Sequence, residues 1–149
     1  MGPLTAYFIL ATFLAGFTSA APAGVTATGS FGGFWDRGAP DPSVPANNFT
    51  VRWTGQVLAA TTEAYTFITQ ANDGVRLWVN GQLVIDRFTA RAGMLDDASA
   101  PVNLVAGQSY DVRMEYLETT GQAGARLYWQ TDSIPRQIIP TADLVPPGT

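Results

Sequence analysis

After residue 48, apolar and polar positions alternate with a period of two, and turn-forming residues interrupt the alternation every few positions. Val75, Leu77 and Val79 alternate with Arg76, Trp78 and Asn80, which is the pattern of a strand with one face in a core. Asn80-Gly81 offers the positive backbone angles of a type I′ turn, and Leu83, Val84 and Ile85 return as the partner strand. Tyr110, Val112, Met114 and Tyr116 alternate with Asp111, Arg113 and Glu115, which sets the inward face of a later strand. The same signals predict strands over 49–53, 56–58, 64–69, 83–86, 102–104 and 125–130. No segment keeps a helical period over a useful length, and no repeat of solenoid length is present. The pattern therefore predicts an all-β chain, an antiparallel β-sandwich of jelly-roll type.

The first residues follow a different pattern. Met1 to Trp35 carries no charged side chain, and Leu4 to Phe17 is almost continuously apolar. With the small residues Thr18-Ser19-Ala20 behind it, this run reads as a secretory signal cut after Ala20, leaving 149 minus 20, or 129 residues. No Lys or Arg marks its start, so an uncleaved anchor is the alternative, although the run is short against the ~20 residues of a membrane span. The expected organisation is a signal over 1–20, a Gly/Pro-rich loop region over 21–47, one sandwich domain over 48–145 and a tail over 146–149. Phe31, Phe34 and Trp35 in the loop region read as hydrophobic plugs beneath the sandwich in preference to sugar-stacking groups.

Composition narrows the chemistry. A hydrophobic content of 46% with 13% charged residues suits one folded domain with its own core. Twelve acidic residues against eight arginines and no lysine give a net charge of -4, with no basic stripe for a phosphate backbone, so no nucleic-acid partner is expected. The absence of Cys and His removes the thiolate and imidazole ligands of transition metals and the commonest general base. Oxygen-only ligation favours a hard cation, calcium first. Without an activated nucleophile or two carboxylates across a cleft, the chain is not expected to be an enzyme.

Several ordered motifs carry a family resemblance: PANNFTVRWTG (Pro45 to Gly55), TTEAYTF (Thr61 to Phe67), NDGVRLWVNGQLVID (Asn72 to Asp86), LVAGQSYDVRMEYLE (Leu104 to Glu118), GARLYW (Gly124 to Trp129) and IPTADL (Ile139 to Leu144). Together they cover roughly two thirds of the chain, and their order is far more specific than any one of them. In this the chain resembles the anthrax protective antigen N-terminal domain family, the module also found in yeast flocculins and epithelial adhesins and inserted in glycosidases. The resemblance implies a β-sandwich that often binds glycans through calcium. It also implies a site, in which two adjacent aspartates joined by a cis peptide align with Asn72 and Asp73. The asparagine of a second loop aligns with Glu118, and main-chain carbonyl ligands fall near Thr120 and Gln122. The chain departs from the family at both side-chain positions, losing a carboxylate at Asn72 and regaining one at Glu118, so the formal ligand charge stays at two negative. The longer Glu118 could hold the ion bidentately or push it from the place where sugar hydroxyls reach it. The plainer reading of Asn72-Asp73-Gly74 is a solvated turn with an Asx-type bond.

The expected function is a secreted or cell-surface carbohydrate-binding module, with Asp73, Trp78 and Gln122 as candidate contacts to a glycan. Trp78 could equally cover the outer surface of its sheet. Arg76, Arg113 and Arg126 are expected to pair with acids across strands, and Asp96-Asp97 to form a hydrated loop pair. The alternative is an assembly subunit. The first strand usual in the family is not evident before Asn48, which leaves a sheet edge for self-association unless Val25 to Thr28 fills it.

Overall fold

The computed structural model describes residues 7–13, 25–27, 32–36, 49–119 and 121–145, with side chains from Thr50 onward apart from those of 120, 123 and 141. Thr18-Ser19-Ala20, Phe31 and the tail 146–149 lie outside the described residues, as do the side chains of Phe34 and Trp35. The strands are β1 (Tyr7–Phe13), β2 (Val25–Ala27), β3 (Gly32–Asp36), β4 (Phe49–Leu58), β5 (Glu63–Asn72), β6 (Gly74–Val79), β7 (Gln82–Arg87), β8 (Leu95–Ala98), β9 (Val102–Leu104), β10 (Ser109–Glu118), β11 (Ala123–Gln130), β12 (Gln137–Ile138) and β13 (Leu144–Val145). A 3-10 turn, Thr141–Asp143, precedes the last of them.

Two antiparallel sheets result. One runs β2-β1-β4-β10-β6-β7 with β13 also on β4; the other runs β12-β11-β5-β8, with β3 on β11 and β9 on β5. The alternation read from the sequence fills the space between them. Val51, Trp53 and Val57 of β4, Val75, Leu77 and Val79 of β6, and Val112, Met114 and Tyr116 of β10 face Tyr65, Phe67 and Ala71 of β5 and Ala125, Leu127 and Trp129 of β11. The Trp129 ring lies 5.0 Å from that of Tyr65 and 6.4 Å from that of Phe67, so aromatic area carries much of the burial. Asn80 and Gly81 take φ of 52° and 79°, which closes the β6–β7 hairpin.

Polar residues cover the outer face of the first sheet. Glu115 accepts ion pairs from Arg52 at 2.8 Å and Arg76 at 2.7 Å on the two flanking strands. The Arg113 guanidinium stacks 4.0 Å from the Trp78 ring.

Three expectations are corrected. The missing first strand is present: β1, inside the apolar segment read as a signal, pairs with β4 from Phe8–Thr54 to Phe13–Phe49. The sandwich therefore includes Tyr7–Phe13, outside the expected bounds of 48–145, and the β4 edge offered to self-association is occupied within the chain. A short run of aromatic and β-branched residues suits a strand as well as it suits a leader, and only pairing distinguishes them. Val25 to Thr28 does not fill that edge, because β2 pairs with β1 on its far side. Finally, Asp96 and Asp97 are not a hydrated loop pair but lie in β8, opposite Gln70 and Thr69 of β5. Arg136 pairs with Asp96 at 2.8 Å, and Arg87 and Arg91 pair with Asp97 at 3.4 and 2.8 Å.

Candidate functional site

β5 belongs to one sheet and β6 to the other, so Asn72-Asp73-Gly74 carries the chain across the sandwich. The Asn72-Asp73 peptide is cis. Asp73 N donates to Leu117 O at 3.2 Å, which sets the corner against the last residues of β10. The Tyr116 hydroxyl, buried between the sheets, donates to Asn72 O and accepts from Gly124 N at 2.9 Å, tying in the start of β11. Gly74 has a close neighbour: a Cβ there would stand 2.6 Å from Thr89 N and 2.8 Å from Thr89 O, so the segment after β7 crosses directly over it.

The Asp73 carboxylate is the most heavily bonded group of the corner. Oδ2 accepts from Thr119 N and Thr119 Oγ1, both at 2.6 Å, and Oδ1 accepts from Arg91 N at 3.2 Å. Burial opposes its ionisation, but the Thr119 bonds outweigh burial and hold the carboxyl below the usual aspartate range. Glu118, the last residue of β10, is fully buried and stands within hydrogen-bonding reach of Asp73. Burial and the neighbouring Asp73 carboxylate push Glu118 up to about 8. Both Glu118 oxygens and Asn72 Oδ1 are buried without a hydrogen-bond donor of good geometry.

Above this floor opens a cavity of about 540 Å³, lined by Asn72, Asp73, Arg91, Gly93, Thr119 and Gln122 among others. One wall is the segment between β7 and β8, the other the β10–β11 loop. Asn72 Oδ1, the ionised Asp73 carboxylate and the Glu118 carboxyl paired with it form a donor set of oxygen only, and this chemistry fits a hard cation such as calcium. No cluster of three His, Cys, Asp or Glu exists among the described residues, so any metal here depends on Asn72 and main-chain oxygens to complete its shell.

The structure thus brings Asn72, Asp73, Glu118 and Gln122 to one corner, while Thr120 lies outside the described residues. Trp78 does not join them. It sits on the outer face of the first sheet against Arg113 and Arg76, away from the residues lining the cavity. Sequence reasoning missed Arg91 and Thr119. Thr119 could have been found as the neighbour of Glu118, whereas nothing local marks Arg91.

Residues 10–143 match the PA14 domain family. Over 112 residues the chain is 41% identical to the anti-sigma-I factor RsgI3 of Acetivibrio thermocellus, a match covering 75% of this chain and 17% of that protein. Among solved structures, it resembles an anti-sigma factor domain-containing protein at 32% identity and a TM-score of 0.86, covering 97% of this chain and 49% of the other. It also superposes on the PA14 sugar-binding domain from an RTX adhesin with a TM-score of 0.66 and 18% identity, covering 94% and 97%, which is a likeness of fold. The chain spans under a fifth of the curated relative and about half of the anti-sigma factor structure.

Proposed function

The chain belongs to the PA14 domain family, and from that membership we propose that it is a non-catalytic, extracellular carbohydrate-binding module whose glycan sits over the Asp73 corner with calcium beneath it. The observation that carries this reading is a cluster of oxygens at one corner: the unsatisfied Asn72 Oδ1 and the ionised Asp73 carboxylate on the cavity lining, with the buried Glu118 carboxyl held against Asp73 behind them. An unsatisfied buried oxygen costs stability, and a cation drawn to the Asp73 carboxylate would offer Asn72 Oδ1 a partner and favour an ionised Glu118. Calcium, when bound, would supply open coordination positions that vicinal sugar hydroxyls can occupy.

The chain's own residues do the rest. Thr119 and Arg91 hold the Asp73 carboxylate in place through its two oxygens. Gln122, exposed on the cavity rim, offers both a donor and an acceptor to a hydroxyl. The sugar-binding relative of the same fold supports the choice of ligand class. The anti-sigma factor relatives favour a second reading of the context, in which the module is the input domain of a longer regulator and glycan occupancy is the signal. That reading changes the destination of the signal and leaves the site unchanged.

The test is retention on a panel of immobilised glycans with calcium and with chelator. Wild-type protein is expected to be retained on at least one glycan with calcium only, and Asp73→Ala to elute unretarded. Retention that ignores both the chelator and the substitution would overturn the site.

A further inference from the structure

Arg91 is unusual for a residue beside a cation site, because a guanidinium repels the guest that the carboxylates attract. Its contacts explain its presence. The main-chain N donates to Asp73 Oδ1 at 3.2 Å, and Nε donates to the main-chain O of Asp73 at 3.1 Å, so one residue grips both the carboxylate and the backbone of the corner. Nη1 lies 2.8 Å from Asp97 Oδ2, with both side chains largely buried, at 15% and 14% exposure. Asp97 stands in β8 opposite Thr69 of β5, so its carboxylate belongs to the rigid edge of the second sheet. Arg87, much more exposed at 64%, approaches the other Asp97 oxygen at 3.4 Å. The wall segment itself cannot drift toward β6, since Thr89 already rests on Gly74.

We infer that Arg91, oriented by Asp97, is the positioning residue of the corner: it locks Asp73 from behind so that the carboxylate faces Glu118, while Asp97 cancels the charge that would otherwise oppose a cation. The chain Asp97–Arg91–Asp73 makes the β7–β8 segment a working part of the site. The guanidinium acts on the carboxylate indirectly: bonded to Asp73 O and to Asp97, it fixes the Arg91 main chain whose N–H orients Asp73 Oδ1, and loss of such an outer contact typically weakens metal affinity by roughly tenfold or more. This inference rests on the proposed calcium corner for its affinity readout and stands apart from it in its second readout.

The sign of one substitution separates positioning from electrostatics. Arg91→Met removes a positive charge from the neighbourhood of a dication, so electrostatics alone predicts tighter calcium binding by calorimetry; positioning predicts binding weaker by roughly tenfold. Asp97→Asn, which touches neither the cavity nor Asp73, is expected to weaken calcium to a similar degree, and the double variant to be little worse than Arg91→Met, because both act through one contact. Arg91→Lys keeps the charge and loses the fork, and is expected not to restore affinity. Hydrogen exchange of the Thr119 amide, which is donated to Asp73 Oδ2, reads the carboxylate's position without metal. In chelator it is expected to speed up about tenfold in Arg91→Met and in Asp97→Asn. If wild-type protein takes up no calcium, the calcium reading fails and the exchange result alone decides the inference. Unchanged Thr119 exchange in both variants, or tighter calcium binding by Arg91→Met, overturns it.

Discussion

Gly74→Ala is the sharpest test of how the corner is built. A methyl group at 74 would stand 2.6 Å from Thr89 N, 2.8 Å from Thr89 O and 2.9 Å from Arg87 O, and all three are main-chain atoms that no rotamer change can withdraw. Ordinary carbon contacts lie at about 3.5 to 4.0 Å, so the crossing segment must retreat by about 1 Å. Gly74 is not among the glycines with positive φ, so the cost comes from contact and not from backbone conformation. Overpacking of this kind costs about 1 to 3 kcal/mol. The retreat also pulls on the bonds from Arg91 to Asp73, and each is worth about 1 kcal/mol. A total of about 3 kcal/mol corresponds, for a domain of this size, to a melting point lower by roughly 10 °C. The assay is a thermal melt in chelator followed by a calcium titration of the folded protein. Gly81→Ala is the control, since Gly81 has a φ of 79° and open space around it. That variant is expected to lose about 1 kcal/mol and no calcium affinity. If Gly74→Ala melts within about 2 °C of wild type and binds calcium equally well, the wall does not rest on Gly74.

Glu118, raised to about 8, favours the protonated fold, so the stability it contributes is complete below about 4.5 and fades as pH rises through 8. Urea titrations in chelator are expected to give a loss on the order of 2 kcal/mol between pH 5 and 9, after allowing for screening through the open cavity, and Glu118→Gln is expected to abolish it. Tyr116→Phe removes the donor to Asn72 O and the acceptor for Gly124 N, and denaturant titration should register a loss of about 1 to 3 kcal/mol. Deleting residues 1–20 strips β1 from β4; the truncated protein is expected to melt lower and to self-associate in sedimentation, and a monomer of unchanged melting point would mean that β1 is dispensable.

Local pattern carried the hairpin and the inward face of β10, because Asn80-Gly81 and the alternation from Tyr110 to Tyr116 need no distant partner to be read. β1 was hidden because an uncharged apolar run looks alike to a leader and to a strand until its neighbour is known. β8 was hidden for the opposite reason: Leu95-Asp96-Asp97-Ala98 looks too acidic for a strand, and becomes one through the arginines of other segments. At the site, Asn72, Asp73 and Glu118 were reached through family resemblance, as their burial and mutual approach are tertiary facts. Arg91 lies 18 residues from Asp73 along the chain, and no spacing rule connects the two.

β1 and β13 lie end to end along the same edge of β4, with Val145 opposite Gln56 and Phe8 opposite Thr54. The outer ends of these two strands therefore lie side by side, an arrangement that would let a sandwich of this build sit in a host loop as a cassette without prising that loop apart. Tension applied through such a loop would peel the two strands outward from the middle of the edge, one rung at a time, while the ladder of β4 with β10 stays unloaded. The module would then yield first at its seam and keep the Asp73 corner folded longest.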